Sequence, residues 1–336
     1  VRILICGGGF VGAYAALRLE RRLGDSGHEL VLVNPENYLQ YQPFLPEAAS
    51  GTIEPRHVLV PLRGLLPRTR LVVGEVEHVD HDARQAWVRT LGGDPIDLHY
   101  DAVVVAPGSI SRVLDVPGLA DRAVGFKTIE EAIHLRNLLL SRLEAAATAD
   151  RVGRQSLLTF VFVGGGYAGV EALAELEDLS RDAIARYPEL HDVRPRWVLV
   201  EAAGSILPEI GDDLARYAQS LLAHRGVEIR LHTRLESAEG GIMHLSDGDV
   251  FPAETLVWTT GVRPHPLAER SGFAVDAHGR VATDEFLRVL DADGRPVPGA
   301  WAAGDCALGP DVTTGGASPP TAQHALRRRR RRATRG

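Results

Sequence analysis

Two stretches of the chain show the same change of hydrophobic pattern. An unbroken β-branched and aromatic run, Thr159–Val163, gives way to Gly164-Gly165-Gly166-Tyr167-Ala168-Gly169 and then to an Ala/Leu/Glu-rich segment. At the N-terminus, residues 1–6 form a similar run, Gly7-Gly8-Gly9-Phe10-Val11-Gly12 follows, and residues 13–22 have helical character. Short apolar runs without alternation predict strands covered on both faces, as in a parallel sheet. Residues 29–33, 100–106, 197–200, 227–231 and 255–260 predict further strands, and residues 71–79 and 85–90 alternate like a small antiparallel meander turning at Gly92-Gly93-Asp94-Pro95. Residues 240–251 predict a hairpin, a strand begins at Val281, and residues 297–306 predict a short strand with a Gly-Asp turn. Thr128-Ile129-Glu130-Glu131 is a capping box. The helix it opens carries a stripe through Ile129, Ile133, Arg136, Leu140, Leu143 and Ala147, and residues 145–155 read as a loop. Residues 213–225 predict another helix. Strand and helix alternate, so the expected class is α/β.

A strand running into Gly-x-Gly-x-x-Gly and then a helix has a physical use. The glycines make a tight turn, let backbone approach a pyrophosphate, and pack helix on strand, while the helix N-terminus offers unpaired N–H groups and a favourable dipole. One such match is weak evidence. Two, about 150 residues apart in a chain of 336, predict two dinucleotides on two Rossmann-like domains. Gly7, Gly9 and Gly12 serve the first, and Gly164, Gly166 and Gly169 the second. A Rossmann unit wants an acid at the end of its second strand to hold the ribose hydroxyls. The first unit offers Asn34 there, with Glu36 two places on, and either can hydrogen-bond a hydroxyl. The second offers Glu201, 32 residues past Gly169, an interval that an extended helix through Tyr187-Pro188 and Arg194-Pro195 absorbs. An acid at that position favours NAD and repels the extra phosphate of NADP.

Composition narrows the class. Hydrophobic content of 45 % with 24 % charged residues is ordinary for a globular protein. No apolar run approaches the roughly 18 residues of a membrane span and no signal peptide is visible, so the default location is cytoplasmic. The net charge of −7 hides an asymmetry, because the last ten residues hold seven arginines, 327–332 and Arg335. Without them 30 basic residues face 44 acidic ones, which argues against a nucleic-acid partner. Cys6 and Cys306 are too far apart in sequence for a short-spaced redox motif, and buried free thiols are the simpler reading. The 13 histidines include no His-x-x-x-His pair, so no metal is expected. His78 and His81, flanking Asp80, read as surface residues.

Further segments suit a bound ring or nucleotide. Residues 38–47, Tyr-Leu-Gln-Tyr-Gln-Pro-Phe-Leu-Pro-Glu, are aromatic and proline-rich, fit for a rigid wall or a plain packed loop. The strand at 100–106 ends in Ala106-Pro107-Gly108, where backbone can come close to a ligand. Glu171 has a bland reading, stabilisation by the helix dipole worth about 0.3–1 kcal/mol.

Both fingerprints, with Val105-Ala106-Pro107-Gly108, Trp258-Thr259-Thr260-Gly261 and Ala303-Gly304-Asp305 in order, resemble the flavoproteins built from two dinucleotide-binding domains. The resemblance covers roughly residues 1–326. It implies two Rossmann-like domains, the second inserted in the first, each with a small antiparallel β-meander. The expected divisions are 1–120 with 275–326 for FAD, 155–270 for NAD(H), 121–154 as connecting helix and loop, and 327–336 as an unstructured tail. Asp305 would hold the FAD ribityl and pyrophosphate region, Ala106 and Gly108 would line that cofactor, and Gly261 would border NADH. The disulfide reductases and sulfide:quinone reductases of this superfamily depend on cysteines absent here. Two segments are similar to the type II NADH:quinone dehydrogenases. Gln42-Pro43 and Leu45 fall within that family's Asn-x-x-x-x-x-Gln-Pro-Leu-Leu loop, and residues 320–325, Pro-Thr-Ala-Gln-His-Ala, resemble its Ala-Gln-x-Ala-x-Gln quinone motif with Arg327 in place of the last Gln. This likeness implies hydride transfer from NADH to FAD and two-electron reduction of a quinone, with Glu171, Gln42 and Gln323 bordering the reacting rings. A soluble reductase of a ferredoxin- or rubredoxin-like acceptor, and a nucleotide-binding product without turnover, are the alternatives. Members of that family continue into a region supporting dimer and membrane contacts. The arginine run at 327–332 is expected to mark a disrupted or truncated end. The competing reading is a lipid-binding tail, with peripheral contact at the inner face of the cell membrane.

Overall fold

The computed structural model describes residues 1–112 and 114–310, which form two compact units. The first takes Val1–Gln40, Leu59–Ile110 and the described residues from Val262 onward, and the second takes Tyr41–Val58 and Ser111–Gly261.

In the first unit one eight-stranded sheet runs in the order Arg288–Leu290, Pro296–Ala302, Ala102–Val105, Arg2–Cys6, Glu29–Asn34, Arg70–Asp80, Gln85–Thr90, Pro95–His99. The five strands from Pro296–Ala302 to Arg70–Asp80 are mutually parallel. Alternate residues explain the unbroken apolar runs. Leu4, Cys6, Val31, Val33, Val103 and Val105 share one buried cluster, whereas Ile5 and Leu32 lie in another with Ala13 and Ala16 of the helix Phe10–Leu23. Both faces of these strands are covered, so no polar position is tolerated. The meander is no separate sheet. Arg70–Asp80 pairs in parallel with Glu29–Asn34 through its first residues and antiparallel with Gln85–Thr90 from Gly74 on.

The second unit has five parallel strands in the order Ala123–Gly125, Thr255–Trp258, Thr159–Val163, Arg196–Val200, Val227–Arg230. Thr159–Val163 lies in the middle with every residue buried, and Phe160 stacks on Trp197 at 4.5 Å between ring centroids. A three-stranded antiparallel sheet of Leu235–Ser237, Ile242–Leu245 and Val250–Pro252 closes one end of its core. The fingerprint helix Tyr167–Ile184 ends before Tyr187-Pro188 and takes up 15 of the 32 residues from Gly169 to Glu201 (170–184), and a short 3-10 turn at Pro188–Leu190 takes up part of the rest.

Several boundaries differ from expectation. Residues 41–58 and 111–154 belong to the second unit, because the helix Leu45–Ser50 packs on Tyr167–Ile184 and on Ile129–Thr148, and Ala238 N donates to Pro117 O at 2.8 Å. Residues 262–274 belong to the first unit, whose core takes Leu267 and Phe273. The capping box is formed, and Ile129 and Leu143 of the expected stripe are buried, but the helix Ile129–Thr148 turns Ala132, Leu135, Leu139 and Ala146 inward with them and leaves Ile133, Arg136 and Leu140 half-buried. A leucine-rich helix has apolar residues on several faces, and the position of the charged side chain decides which one turns inward. The expected loop at 145–155 contains a second helix, Arg151–Leu157, whose N-cap Asp150 accepts from Gly153 N. His78 and His81 are half-buried, not surface residues, and His81 lies within hydrogen-bond distance of Tyr100 Oη and Pro298 O. Among the described residues no helix is long and apolar enough to cross a membrane.

Candidate dinucleotide sites

The two glycine turns are built alike, each within its own unit. In the first, Gly7 has φ +105°, and a Cβ there would lie 2.2 Å from Ala106 O. In the second, Gly164 has φ +116°, and a Cβ would lie 2.7 Å from Thr259 O. The last glycine of each turn meets the carbonyl of the first. A Cβ at Gly12 would fall 1.8 Å from Gly7 O, and one at Gly169 would fall 2.0 Å from Gly164 O. No side chain fits at these contacts, so the spacing of the motif follows from helix packing on the strand. The middle pair behaves oppositely. A Cβ at Gly9 or Gly166 would meet nothing within 4 Å. Each is the N-cap of its helix, and neither helix has a side-chain cap. Open space in front of uncapped N–H groups is what a pyrophosphate needs.

The residue ending the second strand of each unit holds the turn itself. Asn34 Oδ1 accepts from Gly8 N at 2.7 Å, and its Nδ2 donates to Glu36 O at 2.8 Å. Glu36 contributes its carbonyl to this link and keeps its side chain exposed. Glu201 Oε2 accepts from Gly165 N at 2.6 Å, and its Oε1 accepts from Ala203 N at 2.7 Å. Acid and amide thus sit in equivalent places, and both leave lone pairs for a ribose. The fixing of the second glycine's N–H by these side chains was not visible in the motif, which specifies only the first, third and sixth positions.

Neighbouring segments complete each cradle. In the first unit Gly108 has φ +75° with open space beside it, and Ser109 Oγ donates to Asp305 Oδ2 at 2.8 Å. Asp305 is therefore oriented by a serine that the sequence did not single out. In the second unit Thr259 N donates to Val163 O at 2.8 Å, and its hydroxyl lies 2.9 Å from Val163 O and 3.1 Å from Gly164 O. Gly261 has φ +89° and is open, and the Thr260 hydroxyl is buried with no hydrogen-bond partner. An orphaned donor of this kind favours a polar ligand.

Glu171 is the fifth residue of its helix, beyond the turn where the dipole acts, so the bland reading loses its basis. Its side chain is exposed on one side. Crowding by protein atoms on the other, followed by the Glu47 and Glu175 carboxylates, holds its pKa above the ordinary carboxylate range. Glu47, on Leu45–Ser50, has a buried Oε2 with no partner, and Ser50 of that helix donates to Glu175 at 2.7 Å. Gln42 starts the same segment but turns its Nε2 to Lys127 O at 3.4 Å. The structure brings Glu171 together with Glu47, which the sequence did not mark. Gln323 lies outside the described residues. Cys6 and Cys306 are buried and free, and the Cys6 thiol is pushed up to about 12 by burial and then by Cys306. Among the described residues no group of three or more His, Cys, Asp or Glu could hold a metal ion.

The profile of the pyridine nucleotide-disulphide oxidoreductase family matches residues 1–328. A probable NADH dehydrogenase of Dictyostelium discoideum is 28 % identical, aligned over 96 % of this chain and 70 % of its own length. The type II NADH:quinone oxidoreductase Ndh of Mycobacterium tuberculosis is 31 % identical, over 91 % of this chain and 67 % of its own. NDH2 of Plasmodium falciparum, solved in complex with NADH, has the same fold, with a TM-score of 0.84 at 21 % identity over 92 % of this chain and 64 % of that one. The chain spans about half the length of similar mitochondrial enzymes of Arabidopsis thaliana and Yarrowia lipolytica. A profile matched along nearly the whole sequence places the chain in the pyridine nucleotide-disulphide oxidoreductase family, as a type II NADH:quinone oxidoreductase-like member.

Proposed function

We propose that the first unit holds FAD, that the second holds NADH, and that the chain catalyses electron transfer from NADH to a quinone. The observation that carries this reading is the duplicated glycine cradle, open at Gly9 and Gly166 and backed by a neutral Asn34 in one unit and an anionic Glu201 in the other. The residues present fit both nucleotides. Gly7, Gly9, Gly12, Asn34, Ala106, Gly108 and Asp305 would hold FAD, and Gly164, Gly166, Gly169, Glu201 and Gly261 would hold NADH. Bound there, FAD would supply the two-electron chemistry between NADH and the acceptor.

The protein's own part is binding, orientation and proton supply. Glu201 selects the unphosphorylated ribose by charge. Asp305, held through Oδ2 by Ser109, would contact the cofactor. Reduction of a quinone to a quinol takes two electrons and two protons, whereas NADH brings one hydride, so one further proton must come from water. The raised pKa of Glu171 suits its carboxyl oxygen to hold and pass on that proton. The quinone itself is assigned from the named chemistry of the relatives, and Gln323 would border it. Because such acceptors dissolve in the bilayer, peripheral contact with a membrane is part of the reading.

The test is to follow NADH consumption by the purified, FAD-loaded chain with a short-chain quinone as sole acceptor. Turnover that saturates with the quinone is expected. FAD retention and reduction by NADH, without quinone turnover, would contradict the acceptor assignment.

A further inference from the structure

The loop that follows Glu201 is laced to the loop that follows the strand Val227–Arg230. Glu201 N donates to Arg230 O at 2.8 Å, His232 N to Ala203 O at 3.0 Å, and Thr233 N to Glu201 O at 3.0 Å. Within this ladder His232 has φ +54°, in the left-handed region where a bulky side chain is strained. Its ring packs over Gly204, where a Cβ would sit 2.7 Å from Cε1 and 3.0 Å from Nε2. The imidazole occupies its position only because residue 204 has no side chain.

The fold gains little from this arrangement. His232 is exposed, so its ring buries little apolar surface to offset the strained backbone. Thr233, the next residue, is the one that enters the core. Glu201 already spends both carboxylate oxygens on the N–H groups of Gly165 and Ala203, which fixes its charge in place but supplies no wall beside it. Strained residues that gain no packing in the fold are found at ligand clamps, and the ribose-reading acid is two residues from the carbonyl that His232 N engages.

We propose that His232 is a specificity-determining residue for the adenosine end of the dinucleotide, its imidazole forming a wall of the subsite whose charge is set by Glu201. This rests on the reading of the second unit as the NADH-binding unit. Glu201 then discriminates by charge and His232 by shape, and Gly204 is the position that admits the ring.

The test uses three ligands on the full FAD-loaded chain: NADH, ADP-ribose as the adenosine half alone, and reduced nicotinamide mononucleotide as the half without adenosine. His232→Gly removes the ring and relaxes the left-handed backbone, so the loop keeps its course. The expected result is a calorimetric Kd for ADP-ribose raised about tenfold, equivalent to about 1.4 kcal/mol. KM for NADH should rise by a similar factor at unchanged kcat, and oxidation of the mononucleotide should be unaffected. Gly204→Ala, which leaves His232 in the chain but displaces its ring, should shift ADP-ribose affinity the same way. Equal ADP-ribose affinity in wild type and His232→Gly would overturn the proposal alone. So would a parallel loss of activity with the mononucleotide, which would mark a structural role. Absence of ADP-ribose binding to the wild-type chain would overturn it together with the NADH assignment.

Discussion

The second glycine turn makes opposite demands at two positions three residues apart, and substituting alanine at each separates fold from ligand. At Gly169 a new Cβ would lie 2.0 Å from Gly164 O and 2.6 Å from Thr259 Oγ1, whereas real Cβ contacts essentially never fall below 3.0 Å. The helix start must therefore move off the strand by about 1 Å, an overpacking that costs about 1–3 kcal/mol. For a unit of this size each kcal/mol lowers the melting temperature by about 2–4 °C, so Gly169→Ala should lose about 2–12 °C. Gly166 differs. Its φ of −76° and ψ of −178° suit any residue, and its Cβ would meet nothing. Gly166→Ala should keep its stability within about 1 kcal/mol, since losing glycine at the N-cap and gaining rigidity in the unfolded chain roughly offset. Its methyl would stand in the open space proposed for the pyrophosphate, so NADH affinity should fall at least about tenfold. Thermal unfolding and calorimetric titration of the two variants decide the matter. Wild-type stability in Gly169→Ala would refute the packing argument, and wild-type NADH affinity in Gly166→Ala would refute the pyrophosphate cradle. Gly12 and Gly9 form the equivalent pair in the first unit, with flavin retention as the readout.

Other expectations follow from the charged groups and thiols. Glu201→Gln removes the charge and keeps only one of the two backbone N–H bonds that the carboxylate accepts, so the proposed preference for NADH over NADPH in kcat/KM should shrink by about tenfold or more; an unchanged ratio would place discrimination elsewhere. Because the folded chain holds the Glu171 proton more tightly than the unfolded chain, that group's contribution to stability is full below the ordinary carboxylate pKa and is lost as pH rises through the raised one. The melting temperature of Glu171→Gln relative to wild type should therefore climb as pH rises through and above the ordinary carboxylate range, and a pH-independent difference would contradict the shift. Asp305→Ala should reduce FAD occupancy after purification while leaving ADP-ribose affinity intact, since Asp305 and its partner Ser109 lie in the first unit. Neither thiol should react with a thiol-specific reagent until denaturant is added, because both are buried and Cys6 is held protonated.

Much of this was legible in the sequence wherever a rule is local. The apolar runs at 1–6 and 159–163 signalled strands covered on both sides, and the glycines that followed them stand where a side chain would strike a carbonyl. The Thr128 capping box was readable for the same reason, since its partners lie three residues apart. What remained hidden depended on the meeting of distant segments. Residues 41–58 carry an aromatic, proline-rich pattern that says nothing of which unit they join. Their assignment is decided by the packing of Leu45–Ser50 on Tyr167–Ile184, and the same packing sets Glu47 beside Glu171. Ser109 and Asp305 are 196 residues apart, and His232 and Gly204 meet only through the edge of a parallel sheet. The inward face of Ile129–Thr148 was placed only in part because leucine and alanine recur on several faces of that helix.

The central claim is that one chain binds FAD and NADH and moves a hydride between them. The most direct measurement is the visible absorption spectrum of the purified chain, recorded without oxygen before and after addition of NADH. The account predicts flavin bands that bleach on NADH and return when a quinone is added. Flavin bands that persist in the presence of NADH, or a chain that carries no flavin and takes up none, would contradict it.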